Sequence, residues 1–360
     1  MGVSEYHFRK IEALFLLLGS LLLFSTGFIS KEINDFRLLK SDTTKFDDGP
    51  YVFIEGKKLV EHRIVAGNLV TSVKRAERED IEFEIANDIF LGVSKIAALS
   101  DIHGQYDLMI RLFQANGIIG ENKEWSYGDG HLVIVGDVFD RGADVVKVLY
   151  FIYELEKQAT ADGGMVHYIL GNHEYMVMQG DLRYLHPNHI KAAEIMNTTY
   201  DQLFGKQTQL GRWLRSKPTI LKIDDNIFVH GGFSESFLMD WKGIRYANDE
   251  YRSTIEMKKD SIKADPVLSK YAGSNCPIWY RGYFDNSMTF EDVDMQLNQL
   301  EATRLIVGHT SQMTITELYE GKIYCVDSSI KNGRYGELLL IENGEVTRGN
   351  LNGDRLSFEN

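Results

Sequence analysis

The sequence contains only two cysteines among its 360 residues, Cys276 and Cys325. Neither belongs to a Cys-x-x-Cys pair, which excludes a disulfide framework and a cysteine zinc site. Cys325 lies in the apolar stretch KIYCVD, which favours a free, buried thiol over a disulfide with Cys276. The N-terminal apolar segment contains no cysteine, so a lipoprotein anchor on that segment is excluded.

Positive charge is also scarce. The chain has 39 Lys and Arg residues against 52 Asp and Glu, a formal net charge of -13. General nucleic-acid binding depends on clustered Lys and Arg, so we expect no nucleic-acid partner, although local basic groups can still bind one phosphate. There is no internal repeat and no low-complexity tract. The length fits one large domain or two ordinary ones.

The N-terminus differs in composition from the rest of the chain. Arg9 and Lys10 precede an apolar run over residues 13–24, and small residues follow at 25–27. This order is typical of a signal peptide, and the run is also long enough to cross a thin bilayer as an uncleaved anchor. We therefore expect residues 1–30 to be a signal peptide or membrane anchor, with an internal helix as the remaining alternative. The protein is then exported, with a periplasmic or other extracytoplasmic location.

Hydrophobic patterning divides the remaining chain. Over residues 31–93, short alternating runs (YVFIEGKKLVEHRIV, NLVTSVKRA, IEFEIAN) predict an accessory segment of antiparallel strands without recognisable chemistry. From residue 94 to 349, apolar strands alternate with amphipathic helices, which indicates a layered domain of strands and helices. The polar stretch at about 175–215 is predicted to be a helical insertion, and residues 350–360 a tail.

Polar side chains follow five of the apolar strands. The strands lie in KIAALSD, HLVIVGD, HYILGNH, NIFVHGG and RLIVGHT, and the polar residues are Asp101, His103, Asp137, Asn172, His173, His230 and His309. One such residue is ordinarily a satisfied core polar group, but five strand ends with the same pattern indicate a site. Packed carboxylates and imidazoles need a cation, and oxygen and nitrogen donors without sulfur suit Mn, Fe or Zn. The donors are too many for one catalytic metal, so two divalent ions are expected.

The motifs DIHGQ, GDVFDRG, GNHE, HGG and GHT occur in this order between about Ile96 and Asp327. They resemble the metal-dependent phosphoprotein phosphatases among the calcineurin-like metallophosphoesterases, and most closely the bacterial Shewanella-like phosphatases. The resemblance implies an α+β fold, the four-layer αββα sandwich, here with an extra N-terminal antiparallel β segment. One departure is Ser100, which stands where the first motif usually has glycine.

The resemblance also implies roles for individual residues. The expected ligands are Asp101, His103 and Asp137 for the first metal, with Asp137 shared, and Asn172, His230 and His309 for the second. His173 is similar to the family's general acid and Asp140 to the group that orients it. Arg141 and Arg281 are similar to the arginines that bind the phosphoryl group.

The expected reaction is hydrolysis of phosphoserine, phosphothreonine or phosphotyrosine in a phosphoprotein or phosphopeptide, by direct attack of a hydroxide that bridges the two metals. The chain has no Cys-x5-Arg motif that would supply a cysteine nucleophile. A small-molecule or diadenosine-polyphosphate hydrolase with the same metals is one alternative, and an inactive phosphate-binding module is another. Glu174 in GNHE favours the protein phosphatases, since the diadenosine-polyphosphate hydrolases typically have aspartate there. The oligomeric state stays open.

Overall fold

Strands occur along most of the chain. The computed structural model describes residues 46–285 and 287–358. Its strands are β1 (Asp48–Glu55), β2 (Lys58–Val65), β3 (Asn68–Arg75), β4 (Ile89–Phe90), β5 (Lys95–Leu99), β6 (His131–Ile134), β7 (Met165–Tyr168), β8 (Ile220–Ile223), β9 (Asn226–Val229), β10 (Arg304–Val307), β11 (Thr316–Leu318), β12 (Ile323–Cys325), β13 (Leu338–Glu342), β14 (Glu345–Gly349) and β15 (Arg355–Leu356).

Helices connect most of the strands that follow β5. The α-helices are α1 (Tyr106–Ala115), α2 (Val145–Ala161), α3 (Asn172–Met178), α4 (Pro187–Ile195), α5 (Gln209–Arg215), α6 (Glu235–Leu238), α7 (Ile244–Thr254), α8 (Lys259–Ala264) and α9 (Phe290–Gln299). Short 3-10 turns lie at Arg78–Asp80, Tyr200–Phe204, Leu268–Tyr271 and Ile330–Asn332.

Two six-stranded sheets form the centre of the fold. Their strand orders are β15-β14-β13-β5-β6-β7 and β11-β12-β10-β9-β8-β4. In the first sheet, β5, β6 and β7 are parallel and in register, with Leu99 opposite Ile134 and Ile134 opposite Tyr168. In the second sheet, β9 and β10 are parallel, with Val229 opposite Val307. Parallel strands in register bring their carboxyl ends to one edge of each sheet.

The inner faces of the two sheets pack against each other. Val133 and Ile96 of one sheet share a buried core with Leu221, Phe228 and Ile306 of the other. Helices cover the outer faces: α2 packs on β7, and α7 packs on β8. Helix α2 buries the helically spaced apolar residues that predict it from the sequence. The predicted four-layer αββα arrangement is therefore confirmed.

The N-terminal accessory segment forms its own antiparallel sheet, as predicted, in the order β1-β2-β3. Leu59 and Val52 are buried on its inner face, and Ile54 N donates to Gln207 O at 2.8 Å. The stretch IEFEIAN is not a strand, contrary to the prediction. Ile81 and Phe83 are half-buried between exposed glutamates, so the alternation reflects one packed face of an extended segment that pairs with no strand in the described part of the chain.

The stretch at 175–215 contains helices α4 and α5 and one 3-10 turn. On α4, the buried His189 places Nε2 3.1 Å from Gly142 O. Its Nδ1 lies 3.8 Å from Asp48 Oδ2 on β1. His189 therefore sits between the accessory sheet and the loop that carries GDVFDRG.

Several predictions concern the two ends of the chain and the cysteines. The predicted signal peptide or anchor at 1–30 lies outside the described residues, and no helix among those described is long and apolar enough to span a membrane. The predicted tail at 350–360 is not merely a tail, because β15 extends a sheet and Phe358 contacts the Tyr324 ring. Cys325 is free and buried, as predicted, and Cys276 is also free and buried.

Candidate active site

The seven polar residues predicted at the strand ends lie together where the carboxyl ends of the two sheets meet. β5, β6 and β7 of one sheet supply Asp101, His103, Asp137, Asn172 and His173, and β9 and β10 of the other supply His230 and His309. All seven are buried. Two facing sheets thus build the site together.

The loops that carry these side chains have an unusual backbone. Six predicted site residues have φ between 45° and 70°, in the left-handed region: Asp101, His103, Asp137, Asp140, Arg141 and His309. Such a conformation costs roughly 1–3 kcal/mol for a non-glycine residue and persists only when the surrounding structure imposes it. The surrounding structure therefore holds these loops in strained conformations, and those conformations position the donor groups.

Ser100, the departure from the family motif, fits because of a glycine on the neighbouring loop. A Cβ on Gly308 would lie 1.9 Å from Ser100 Oγ. The Ser100 hydroxyl is hydrogen-bonded to Asp101 Oδ2 and lies 3.0 Å from Val135 O. Serine at this position thus holds one of the predicted metal-binding carboxylates.

The first group of possible metal donors contains His103, Asp137 and His173; the resemblance assigns Asp101 to this metal and His173 to proton transfer. His103 Nδ1 lies 2.6 Å from Phe139 O, so Nδ1 donates its proton and the Nε2 lone pair is free. That Nε2 lies 3.8 Å from Asp101 Oδ1 and 3.9 Å from Asp137 Oδ2, and it has no hydrogen-bond partner among the described residues. A buried imidazole nitrogen without a partner, facing two carboxylates, fits a metal ligand.

The second group contains Asp137, His230 and His309. His230 donates from Nδ1 to Val135 O at 2.7 Å, and its Nε2 lies 3.1 Å from Asp137 Oδ2 and 3.1 Å from Asn172 Oδ1. His309 Nε2 is buried and has no hydrogen-bond partner within the described part of the chain. Because Asp137 belongs to both groups, the donors fit two cations that share its carboxylate.

The pKa values of the clustered side chains also fit a metal site. Burial and the nearby Asp327 raise the pKa of Asp101 to about 8. Burial lowers the pKa of His230, but Asp137 and Asp101 raise it overall, to about 10. In the absence of a cation, the cluster therefore holds protons on groups that a metal needs in the deprotonated form.

His173 and Asp140 form a hydrogen-bonded pair through Nδ1 and Oδ2. Asp140 is fully buried, and His173 Nε2 lies 3.8 Å from Asp137 Oδ2. Burial lowers the pKa of His173, but Asp137 and Asp140 raise it above the ordinary histidine value. The structure thus presents a protonatable Nε2 beside the metal donors, in the position required of the predicted general acid.

Basic and aromatic side chains surround a cavity of about 180 Å³ above these donors. Arg281 donates from Nη1 to His309 O at 2.7 Å. The Arg141 guanidinium lies 5.6 Å from the centre of the Tyr184 ring. Tyr184, Trp279 and Lys331 also line the cavity, and none of the three is predicted from the sequence. The available signal for Lys331 was the strand KIYCVD, which ends at the same sheet edge four residues earlier.

Glu174 supports the GDVFDRG loop from below. Its buried carboxylate accepts hydrogen bonds from the backbone N–H groups of Asp137 (2.9 Å), Val138 (2.8 Å) and Gly171 (2.7 Å), and from the Tyr168 hydroxyl (2.8 Å). The sequence identified Glu174 only as a marker of the protein phosphatases. The structure shows that it anchors the backbone of the shared carboxylate.

The chain is similar to three known phosphatases. The chain matches a crystal structure of the cold-active protein-tyrosine phosphatase of a psychrophilic Shewanella species with a TM-score of 0.84 and 39% identity, over 88% of this chain and 100% of that one. It is 28% identical to Shewanella-like protein phosphatase 1 of Plasmodium berghei (strain Anka), over 72% of each protein. It is 26% identical to Shewanella-like protein phosphatase 2 of Arabidopsis thaliana, over 64% of this chain and 69% of that protein.

The family model for calcineurin-like phosphoesterases matches residues 94–313. That range contains both donor groups, the His173–Asp140 pair and the two arginines. The chain therefore belongs to the calcineurin-like phosphoesterase family and is a metal-dependent phosphatase.

Proposed function

We propose that the protein is a dimetal protein phosphatase that hydrolyses phosphate monoesters of protein side chains, with phosphotyrosine as the preferred substrate. One observation carries the proposal. Four of the predicted metal ligands, Asp101, Asp137, Asn172 and His309, line a single cavity of about 180 Å³ together with the general-acid candidate His173 and the two arginines.

The rim of the cavity supports an aromatic substrate. Tyr184 is 44% exposed and its ring centre lies 5.4 Å from that of His173. Trp279 is half-buried, and its ring meets that of His309 edge to face at 5.5 Å. Two aromatic rings beside the phosphoryl position can flank the phenyl ring of phosphotyrosine. The names of the similar proteins, a protein-tyrosine phosphatase and two protein phosphatases, also support a protein substrate.

The donor atoms indicate which side chains would hold the metals. Two divalent ions of the Mn, Fe or Zn class would be held by Asp101, His103, Asp137, Asn172, His230 and His309, and would supply Lewis-acid chemistry and an acidified water at neutral pH. The protein's own groups then bind and orient the substrate around them.

Arg141 and Arg281 bind the phosphoryl oxygens, because a guanidinium stays charged and binds two oxygens at once. His173 donates the proton from Nε2 to the leaving oxygen, while Asp140 keeps the ring oriented through Nδ1. A tyrosine phenoxide, with a pKa of about 10, needs this proton less than a serine alkoxide does. The arrangement is therefore expected to act on both classes and faster on phosphotyrosine.

The test compares three phosphopeptides that have identical flanking sequences and carry phosphotyrosine, phosphoserine or phosphothreonine. Diadenosine tetraphosphate is the fourth substrate, and the enzyme is loaded with Mn²⁺. We expect hydrolysis of all three peptides, with the highest kcat/KM for phosphotyrosine. Preference for the dinucleotide would reassign the protein to the diadenosine-polyphosphate hydrolases, and no hydrolysis of any substrate would make it an inactive phosphate-binding module. The Asp137→Asn variant is the matched control for contaminating phosphatases.

A further inference from the structure

Lys331 lies in the wall of the cavity that holds the metal donors. Its neighbours in that wall include Arg141, Arg281 and Ser311. The side chain is 21% exposed, in contrast to the well-solvated lysines of an ordinary protein surface. The cavity thus receives a third basic side chain, from the turn at Ile330–Asn332 that follows β12.

The backbone that carries Lys331 is held in place from several sides. The turn is flanked by two left-handed residues, Ser329 (φ 59°) and Gly333 (φ 69°). Gln105, the last residue of the DIHGQ motif, donates from Nε2 to Lys331 O at 3.1 Å. Ser329 N donates to Asp327 Oδ1 at 3.0 Å. The DIHGQ loop, which carries the predicted metal ligands Asp101 and His103, therefore fixes the position of this lysine.

Lys331 contacts the Asp327 carboxylate mainly through the Ser311 hydroxyl. Its Nζ lies 3.7 Å from Asp327 Oδ2 and makes its direct hydrogen bond with Ser311 Oγ. The Ser311 hydroxyl in turn donates to Asp327 Oδ2 at 2.5 Å. An ammonium group has three N–H donors, so donors remain for an oxygen atom in the cavity.

We propose that Lys331 is a third phosphate-binding cation that makes the site selective for phosphate monoesters over phosphodiesters. The inference rests on the proposed phosphomonoesterase function. A monoester dianion carries roughly twice the charge of a diester monoanion, so each additional fixed cation favours the monoester more. Lysine acts on phosphate as a point charge, and it adds to the directional contacts of Arg141 and Arg281.

The primary test uses Lys331→Met in the full-length, Mn²⁺-loaded enzyme. The substrates are 4-nitrophenyl phosphate and bis(4-nitrophenyl) phosphate, and inorganic phosphate is the competitive inhibitor. We expect kcat/KM for the monoester to fall about 10-fold, mainly through KM, as for one lost charge-assisted hydrogen bond. The inhibition constant for phosphate should rise by a similar factor, while kcat/KM for the diester, which carries about half the charge, should fall only about 3-fold. Lys331→Arg should restore most of the monoester preference.

A charge-matched control separates phosphate binding from a structural role. Lys331→Met leaves the buried Asp327 without its counter-ion, whereas the double variant Asp327→Asn/Lys331→Met removes both charges. We expect the double variant to keep the lowered monoester-to-diester ratio when compared with Asp327→Asn alone, with metal content measured for each variant.

Two results would overturn the role of Lys331. One is an equal loss on both substrates, and the other is a double variant whose ratio and phosphate inhibition match those of Asp327→Asn. Either result leaves the wild-type enzyme an active monoesterase. Failure of the wild type to hydrolyse any phosphate monoester would instead reject the proposed function.

Discussion

Glu174→Gln offers a quantitative test of how the active-site loop is held. In the wild type, Oε2 accepts from Asp137 N and Gly171 N, while Oε1 accepts from Val138 N, the Tyr168 hydroxyl and, at 3.4 Å, Phe139 N. Glutamine keeps the shape, but one of its two terminal atoms becomes an N–H donor. The least costly orientation turns the amide NH₂ towards Tyr168, whose hydroxyl can rotate and accept. It leaves Val138 N, and the longer contact of Phe139 N, without an acceptor.

The cost follows from these contacts. A buried N–H group that loses its acceptor costs about 1–3 kcal/mol. The two N–H groups that still face oxygen lose a charged acceptor, which adds about 1 kcal/mol. We therefore expect Glu174→Gln to lower the free energy of unfolding by about 2–4 kcal/mol. Since Asp137 N is one of the affected donors, kcat on 4-nitrophenyl phosphate should also fall.

The assay is urea denaturation at pH 8 with saturating Mn²⁺, followed by steady-state kinetics under the same conditions. Tyr168→Phe is the matched control, because it removes one donor and leaves four N–H groups on an intact carboxylate. We expect it to cost about 1 kcal/mol, the net value of one hydrogen bond, and to leave kcat nearly unchanged. A Glu174→Gln variant that loses less than the control and keeps full activity would refute the anchoring role.

Four further predictions concern the metals and the proton donor. Asp137→Asn should remove bound metal and lower kcat/KM by at least about 100-fold, and metal analysis showing two retained ions would contradict the shared-ligand assignment. His173→Gln should slow a phosphoserine peptide by about 10²–10⁴-fold and an aryl phosphate much less; equal losses would argue against a general acid. Burial lowers the pKa of His173, but Asp137 and Asp140 raise it overall, so the phosphoserine rate should fall as pH rises through that raised value, and Asp140→Asn should move the fall to lower pH. Asp137 and Asp101 raise the pKa of His230 to about 10 in the metal-free cluster, so Mn²⁺ binding at pH 7 should release protons to an indicator dye and become tighter as pH rises. Absence of proton release would contradict a protonated His230 in the metal-free site.

The sequence predicts the site better than its surroundings, for physical reasons. Apolar runs that end in a polar residue identify buried strands and their carboxyl ends, so the pattern alone is enough to place Asp101 and His309 at a sheet edge. The strand prediction for IEFEIAN is wrong because alternation reports which side chains are packed and does not report whether the backbone has a strand to pair with. Tyr184 and Trp279 lie in segments without regular periodicity, where only the three-dimensional course of the chain brings them to the cavity.

Lys331 illustrates a different limit. Its distance along the chain from Gln105 is large, and their contact is between a side-chain amide and a backbone carbonyl. Such a contact produces no pattern of apolar residues in the sequence. The strand end at Asp327 indicates that the following turn lies near the site, but it does not give the direction of the Lys331 side chain.

The left-handed backbone at six site residues bears on attempts to transplant this centre. Copying the donor side chains onto the strand ends of another sandwich would leave them on loops that prefer ordinary conformations, and the carboxylates and imidazoles would then diverge. A designer has to transfer the turns first, together with Glu174 and the glycines that allow the loops to approach. In this fold, the conformation of the loops defines the metal centre, because it sets the positions of the side chains that would hold the metals.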